Sequence, residues 1–431
     1  MIRGMKDSGV EWIGEIPEDW NIGKIKNSYD ITLGKMLETT NIPNEDVSNY
    51  LCAANIKWNG VSTVPQKKMH FSAKEKVQYL LSDGDVLISE GGMAGTSCIY
   101  HNELSPCYIQ NSVHRCTANR NNNTKYLYYW IHVVFHSGYI NSICHKATIM
   151  HYTKEKVEQT PIPVLSSTKQ QQIVHFLDRK CMAIDNAIEK TKKSIEKLDE
   201  YKKAVITKAV TKGIDPNAKM KDSGVEWIGE IPDGWKVTKT KYLFRILKRI
   251  AGCEGFDVIS ITQKGLKIKD ITSNEGQVAE NYSNYQFVFP GDFAMNHMDL
   301  LTGWVDLSAL TGVTSPDYRV FHKINESVND DYYKYVFQSL YFNKVYYGLA
   351  QGVAEVGRKR LQAPAFKELK LPCPPADEPA KIAAYIKNKC MAIDALIEKK
   401  QTAINKWEEY KKSLIYYAVT GKIDCRNEVI E

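Results

Sequence analysis

The chain has 431 residues, 43% of them hydrophobic and 25% charged, with a formal net charge of +7. That length predicts two to four domains, each able to bury its own core, and the composition is that of an ordinary globular chain. No apolar run approaches the roughly 20 residues a membrane helix needs, and the mild positive charge permits a nucleic-acid partner without demanding one.

The opening MIRGMKDSG has no apolar stretch of signal-peptide type, and ten cysteines form no CxxC pair. Reduced thiols, a cytoplasmic location and no membrane partner are the expectations.

The first element is also the most closely repeated. MKDSGVEWIGEIPEDW at 5–20 returns as MKDSGVEWIGEIPDGW at 220–235, with 14 of 16 positions identical. A second repeat follows, residues 180–215 returning at 389–424 with 21 of 36 identical, whereas 21–165 and 236–373 share little. The chain therefore reads as an N-terminal repeat segment (1–20), a first variable insert (21–165), a central helical spacer (166–219), a repeat segment (220–235), a second variable insert (236–373) and a C-terminal helical spacer (374–431). A constant frame holding two different inserts suits a scaffold for two readers of different targets.

Both inserts read as mixed α/β. SDGDVLISEGGMAGTSCIYH at 82–101 predicts a turn, a short strand and a Gly-rich loop, and Gly291-Asp292 predicts the same turn in the second insert. The offset between copies is 215 at the start, 207 at this turn and 209 in the helices, so insertions and deletions lie inside the inserts. The aromatic stretches 124–140 and 330–349 predict packing helices, since their aromatics recur at core-like spacing.

Residues 169–211 predict one long helix. Val174, Cys181, Ile188, Ile195 and Ala209 with Leu177, Ile184, Leu198 and Val205 form an apolar heptad stripe, interrupted by Thr191 and Lys202. The second copy gives Ala383, Cys390, Ile397, Ile404 and Ala418 with Ile386, Ile393, Trp407 and Leu414, interrupted at the matching Lys400 and Lys411. Polar residues in a seam cost stability but fix register, which suits two helices that pair with each other. Prolines precede each helix and Gly213 and Gly421 follow, as helix boundaries commonly require. AVTGKID near the C-terminus matches the AVTKGID that runs into the second MKDSGVEW, so the chain's end is expected to meet its own beginning.

Polar and basic loop positions are the candidates for DNA contact. In the first insert they are Lys67, Lys68, Glu90, Thr96, Ser97, His145, Lys146 and Thr148; in the second, Gln263, Lys264, Asn296, Asp299, Arg358, Lys359 and Arg360. Arg takes guanine edges bidentately, Asn and Gln suit adenine, and Lys mainly positions on phosphate. The competing reading of each residue alone is a solvated surface side chain.

Both MKDSGVEWIGEIP copies, the KCMAID helices and the LLTGWVDLS…GVTSPDYRVF stretch together resemble the specificity subunit of type I restriction-modification enzymes, over essentially the whole chain. The resemblance implies two α/β (α+β) target recognition domains, each reading half of a bipartite DNA sequence. It implies that they are joined by two long antiparallel coiled-coil helices, in a tandem repeat of pseudo-two-fold, ring-like form. It further implies double-stranded DNA and two methyltransferase subunits as partners, with restriction and motor subunits joining through them. No cofactor is expected in this chain; S-adenosylmethionine, ATP and Mg belong to the partners. The family supplies no invariant base-contacting residues to carry over.

Catalysis by this chain lacks support, since there is no phosphate-binding GKS or GKT, no NPPF-like motif and no E-x-K following SPDYR at 315–319. Seven of the ten histidines lie between His70 and His151, yet no Glu or Cys completes a metal site around the i,i+4 pair His132 and His136. The remaining alternative is a coiled-coil scaffold or stand-alone DNA-binding regulator.

Overall fold

The computed structural model describes residues 4–38, 47–144, 150–271, 281–301, 303–350 and 359–426. It forms two compact units, Met1–Thr191 with Thr402–Glu431 and Lys192–Gln401.

In the first unit the repeat segment folds as a hairpin, Met5–Asp7 against Glu15–Pro17. Strand Asn21–Lys24 then pairs with Pro161–Val164, so the variable insert begins and ends side by side. Between them lies a four-stranded antiparallel sheet in the order Ser97–Ile99, Val86–Ser89, Val113–Ala118, Tyr29–Leu33. All four residues of the inner strand Val86–Ser89 are buried, apolar Val86, Leu87 and Ile88 together with Ser89, whose hydroxyl donates to the Gly91 carbonyl at 2.8 Å. The turn into it depends on Gly84 at φ +85° and on Asp85, whose carboxylate accepts from the Ser82 amide at 2.8 Å. Helix Thr124–His136 is capped by Asn123 and buries Tyr126, Leu127, Trp130 and Ile131, so its aromatics pack as expected.

The second unit repeats this plan with different side chains. Hairpin Met220–Asp222 and Glu230–Pro232 keeps the register of the first, and Lys236–Lys239 pairs with Lys370–Cys373. Its sheet runs Val305–Leu307, Phe293–Met295, Arg319–Lys323, Phe244–Leu247. Gly291 at φ +86° and Asp292, accepting from the Phe289 amide at 2.8 Å, rebuild the same turn. Helix Asp330–Phe342, capped by Asn329, supplies Tyr332, Val336, Phe337 and Leu340 to one continuous core with Ile231, Trp235 and Phe321.

The long helices span Ser167–Lys212 and Glu378–Val419. In the first unit Val174, Leu177, Cys181, Ile184 and Ile188 are buried, as are Ile404, Leu414 and Ala418. Gln172 donates to the Arg426 carbonyl at 3.0 Å and Lys411 reaches Asp185 at 2.7 Å, contacts of an antiparallel pair. In the second unit Ile206, Ala209 and Val210 share the core with Ile382, Ala383, Ile386 and Cys390. Trp407 departs from the expected seam. It is 41% exposed and packs edge-on against Tyr410, although Ile404 before it and Leu414 after it in the stripe are buried.

The end of the chain does meet its beginning within the first unit. Tyr416 donates to the Ile13 carbonyl at 2.9 Å, and Gly421 at φ +75° lies against Pro17 and Trp20. Tyr126 bonds the Val419 carbonyl at 3.5 Å, just as Tyr332 bonds that of Val210 at 2.8 Å in the second unit.

Candidate nucleic-acid interface

In the first unit Lys67 and Lys68 lie exposed on strand Lys67–His70, with the Lys67 ammonium donating to Cys52 Sγ at 3.3 Å. Glu90 leaves the inner strand Val86–Ser89 and is half-buried. Its main chain is fixed on both sides, the amide donating to Ser112 at 2.9 Å and the carbonyl accepting from Tyr152 at 2.8 Å. Its carboxylate lies 3.5 Å from His151 Nδ1 and 3.9 Å from His114 Nε2. Burial raises the Glu90 carboxyl above the usual carboxylate range, with His151 opposing the shift. His114 is fully buried, donates to the Tyr152 carbonyl at 2.8 Å, and is pushed down to about 4 by desolvation, so it is neutral at ordinary pH.

Thr96 and Ser97 do not reach the surface. They are 6% and 0% exposed, because the Gly-rich loop closes at once into edge strand Ser97–Ile99, beneath which Gly95 faces Ile140 and Phe135. His145, Lys146 and Thr148 lie outside the described residues.

In the second unit Gln263 and Lys264 form the exposed tip of hairpin Ile259–Thr262 and Gly265–Ile268. Both line a cleft of 860 Å³ with Lys202, Lys203, Lys334, Lys344 and Lys387, outnumbering Asp199, Asp306 and Asp394 in the same lining, a net cationic surface that net charge does not reveal. Asn296 and Asp299 sit in a tight loop after strand Phe293–Met295, where their side chains accept from the amides of Met298 at 3.2 Å and Leu301 at 3.0 Å. A Cβ at Gly303 would stand 2.0 Å from the Asp299 carbonyl oxygen, so the loop closes only over glycine. Lys359 lies 4.1 Å above the Tyr347 ring and Arg360 is exposed, whereas Arg358 lies outside the described residues.

Several residues of these surroundings escaped the sequence reading: His114, His151, His297 and Arg319. Arg319 closes the SPDYR string, whose turn is Ser315–Tyr318; the arginine itself starts the next strand and is 5% exposed. Among the described residues no group of three His, Cys, Asp or Glu is placed to hold a metal ion. His132 and His136 instead pack against Trp58, with ring centroids at 5.1 and 6.1 Å, and burial lowers both.

Residues 17–199 match the family model for the type I restriction modification DNA specificity domain. Over 430 residues the chain is 26% identical to the type I restriction enzyme MjaVIII specificity subunit of Methanocaldococcus jannaschii, covering 96% of this chain and 95% of that one. By sequence the chain is thus similar to type I specificity subunits along nearly its whole length. A putative MjaX specificity subunit from the same organism is 25% identical over 440 residues, covering 95% of each chain. The fold agrees with that of a chain from a structural study of complex assembly and conformational transition in a type I R-M system. It gives a TM-score of 0.67 at 12% identity, covering 95% of this chain and 99% of that one. Among the described residues no helix is long and apolar enough to cross a membrane.

Proposed function

We propose that this chain is a specificity subunit of a type I restriction-modification complex, that it reads a split, asymmetric DNA sequence, one part with each unit, and that it docks methyltransferase subunits that modify it. The observation that carries the reading is one sheet order built twice, with the same Gly-Asp turn, over inserts that share little sequence. A repeated frame gives both readers the same presentation, and different loops give them different targets. A regulator of a palindrome would need one reader duplicated.

Partner docking finds support in matched exposed apolar side chains on the long helices. Met182 and Met391 are each 61% exposed, and Tyr201 and Tyr410 are 55% and 51% exposed. Two equal sets fit two methyltransferase subunits, with restriction subunits joining through them. S-adenosylmethionine, ATP and Mg would be held by those partners. Methylation would require the partner to flip its target base out of the duplex, and this chain would decide which base is presented.

The test is co-expression with the neighbouring methyltransferase subunit in a methylation-free host, with modified adenines mapped by single-molecule sequencing. The expected result is two short blocks around a fixed gap, with an adenine modified on each strand. A continuous palindrome, or no new methylation from a folded complex, would overturn the reading.

A further inference from the structure

Strand register allows the two units to be matched residue by residue. Ile88 pairs with His114 on the neighbouring strand, and Met295 pairs with Arg319. Two residues after each inner-strand position come Glu90 and His297. The Glu90 carbonyl accepts from the Tyr152 amide at 2.8 Å, and the His297 carbonyl accepts from the Leu361 amide at 3.1 Å. The circuit closes alike in both. His114 donates to the Tyr152 carbonyl and Arg319 to the Leu361 carbonyl, each at 2.8 Å.

Three pairs of side chains therefore occupy equivalent places: Glu90 and His297, His114 and Arg319, His151 and Arg360. The main-chain circuit is the same and the chemistry differs. The first unit presents a carboxylate beside His151 at 3.5 Å. The second presents His297 beside the exposed guanidinium of Arg360, whose charge, with that of Arg319, adds to burial in pushing His297 down to about 4. Polar groups back both places: His114 Nδ1 and Arg319 Nη1 are buried with no hydrogen-bond partner among the described residues. Buried orphan groups are costly, which sets this position apart from an ordinary solvated loop.

We propose that this matched cluster is where each unit reads a base edge, through different members of it: Glu90 accepting from cytosine N4 in the first unit and Arg360 donating to guanine O6 and N7 in the second. The assignment rests on the DNA-reading function proposed above. Major-groove readout needs an acceptor for the cytosine amino group and a two-pronged donor for guanine. It also needs side chains held on rigid elements: Glu90 is bonded through its own amide and carbonyl, and Arg360 directly precedes Leu361, whose amide and carbonyl are tied to His297 and Arg319. Lys67, Lys68, Gln263 and Lys264, on a surface strand and a hairpin tip, are better suited to phosphate and sugar contacts that carry no sequence information.

The experiment uses the complex with the methyltransferase subunit and a duplex library in which each base pair of the wild-type motif is varied singly. Methylation of every member is compared between the wild type, Glu90→Gln and Arg360→Lys. Both changes are near-isosteric or charge-conserving and preserve the main-chain circuit. Each variant is expected to raise the mismatched-to-matched ratio about tenfold at one position, with Glu90→Gln acting in one block and Arg360→Lys in the other. An equal fall for every member, complete loss included, or an effect of both variants in the same block, overturns the assignment. Absence of a bipartite motif in the wild type would instead overturn the function on which it rests.

Discussion

The Lys411 ammonium sits 2.7 Å from both carboxylate oxygens of Asp185, joining the two long helices of the first unit. In the second unit Lys202 meets Asp394 at 2.7 and 2.9 Å. These are the same two positions of the repeat with the helices exchanged. Each lysine interrupts an apolar stripe, where its stem covers apolar surface and its head reaches the partner helix. The pairs are partly exposed, so each contributes modestly to stability, and their larger effect is on register.

Lys411→Glu is expected to destabilise the chain by about 1 kcal/mol, through the lost pair and the new repulsion from Asp185. Adding Asp185→Lys should recover at least half of that, because the swap rebuilds the pair in reverse. Urea unfolding of the wild type, both single variants and the double variant measures the coupling. No recovery in the double variant would show that the pair does not hold the helices together.

The frame was legible because it is written twice. Two copies of a hairpin string and two of a heptad stripe locate each other without any knowledge of contacts. The Gly-Asp turns were legible too, since a positive φ followed by an apolar run has few other readings. Trp407 was misplaced because a heptad pattern does not say which of its positions the facing surface leaves uncovered, and Ile404 and Leu414 on either side of it are buried. Thr96 and Ser97 were misplaced because small polar residues after glycines look like a surface loop, whereas strand pairing draws them inside. The matched cluster proposed to read bases was hidden by distance along the chain: Glu90, His114 and His151 come from three separate segments. The offset of 207 at the turn would have aligned Glu90 with His297, but only strand register brings in His114 and Arg319.

The two helix-ending glycines should respond differently to alanine. Both have positive φ, so a side chain at either is strained and costs about 1 kcal/mol. At Gly421 a Cβ would also stand 2.5 Å from Pro17 Cγ and 2.9 Å from Trp20, whereas at Gly213 the nearest atom, on Trp235, is 3.3 Å away. Gly421→Ala should therefore cost about 1–3 kcal/mol more than Gly213→Ala, since neither the proline nor the indole yields easily. It should also loosen the seat of the C-terminal segment on the first hairpin. Thermal unfolding gives the order of the two variants, and limited proteolysis should cut Gly421→Ala first after residue 421. Equal losses would mean that the terminal segment does not dock as tightly as its contacts imply.

His114 makes the first unit sensitive to acid. Burial holds its folded-state value at about 4, against an ordinary value near 6.5 for an exposed imidazole. Between these values the unfolded chain binds a proton that the folded chain refuses, so stability must rise with pH across the window and fall as pH drops from about 6.5 to about 4. The full effect of one such group is on the order of 3 kcal/mol. Glu90 works in the opposite sense. Its raised value means the folded chain binds the proton more readily over a range just above the ordinary carboxylate value, offsetting part of the acid loss there. His114→Gln keeps an amide donor for the Tyr152 carbonyl but has no proton to gain. The variant should be less stable than the wild type near pH 7.5, where the packing of the imidazole is lost without compensation. Its stability should also change less between pH 6.5 and 4.5, bringing the two proteins closer as the solution becomes acidic. Urea unfolding at several pH values, followed through the first unit's tryptophans, measures both quantities. Parallel pH profiles for the two proteins would mean that the imidazole takes up its proton as readily in the folded chain as outside it.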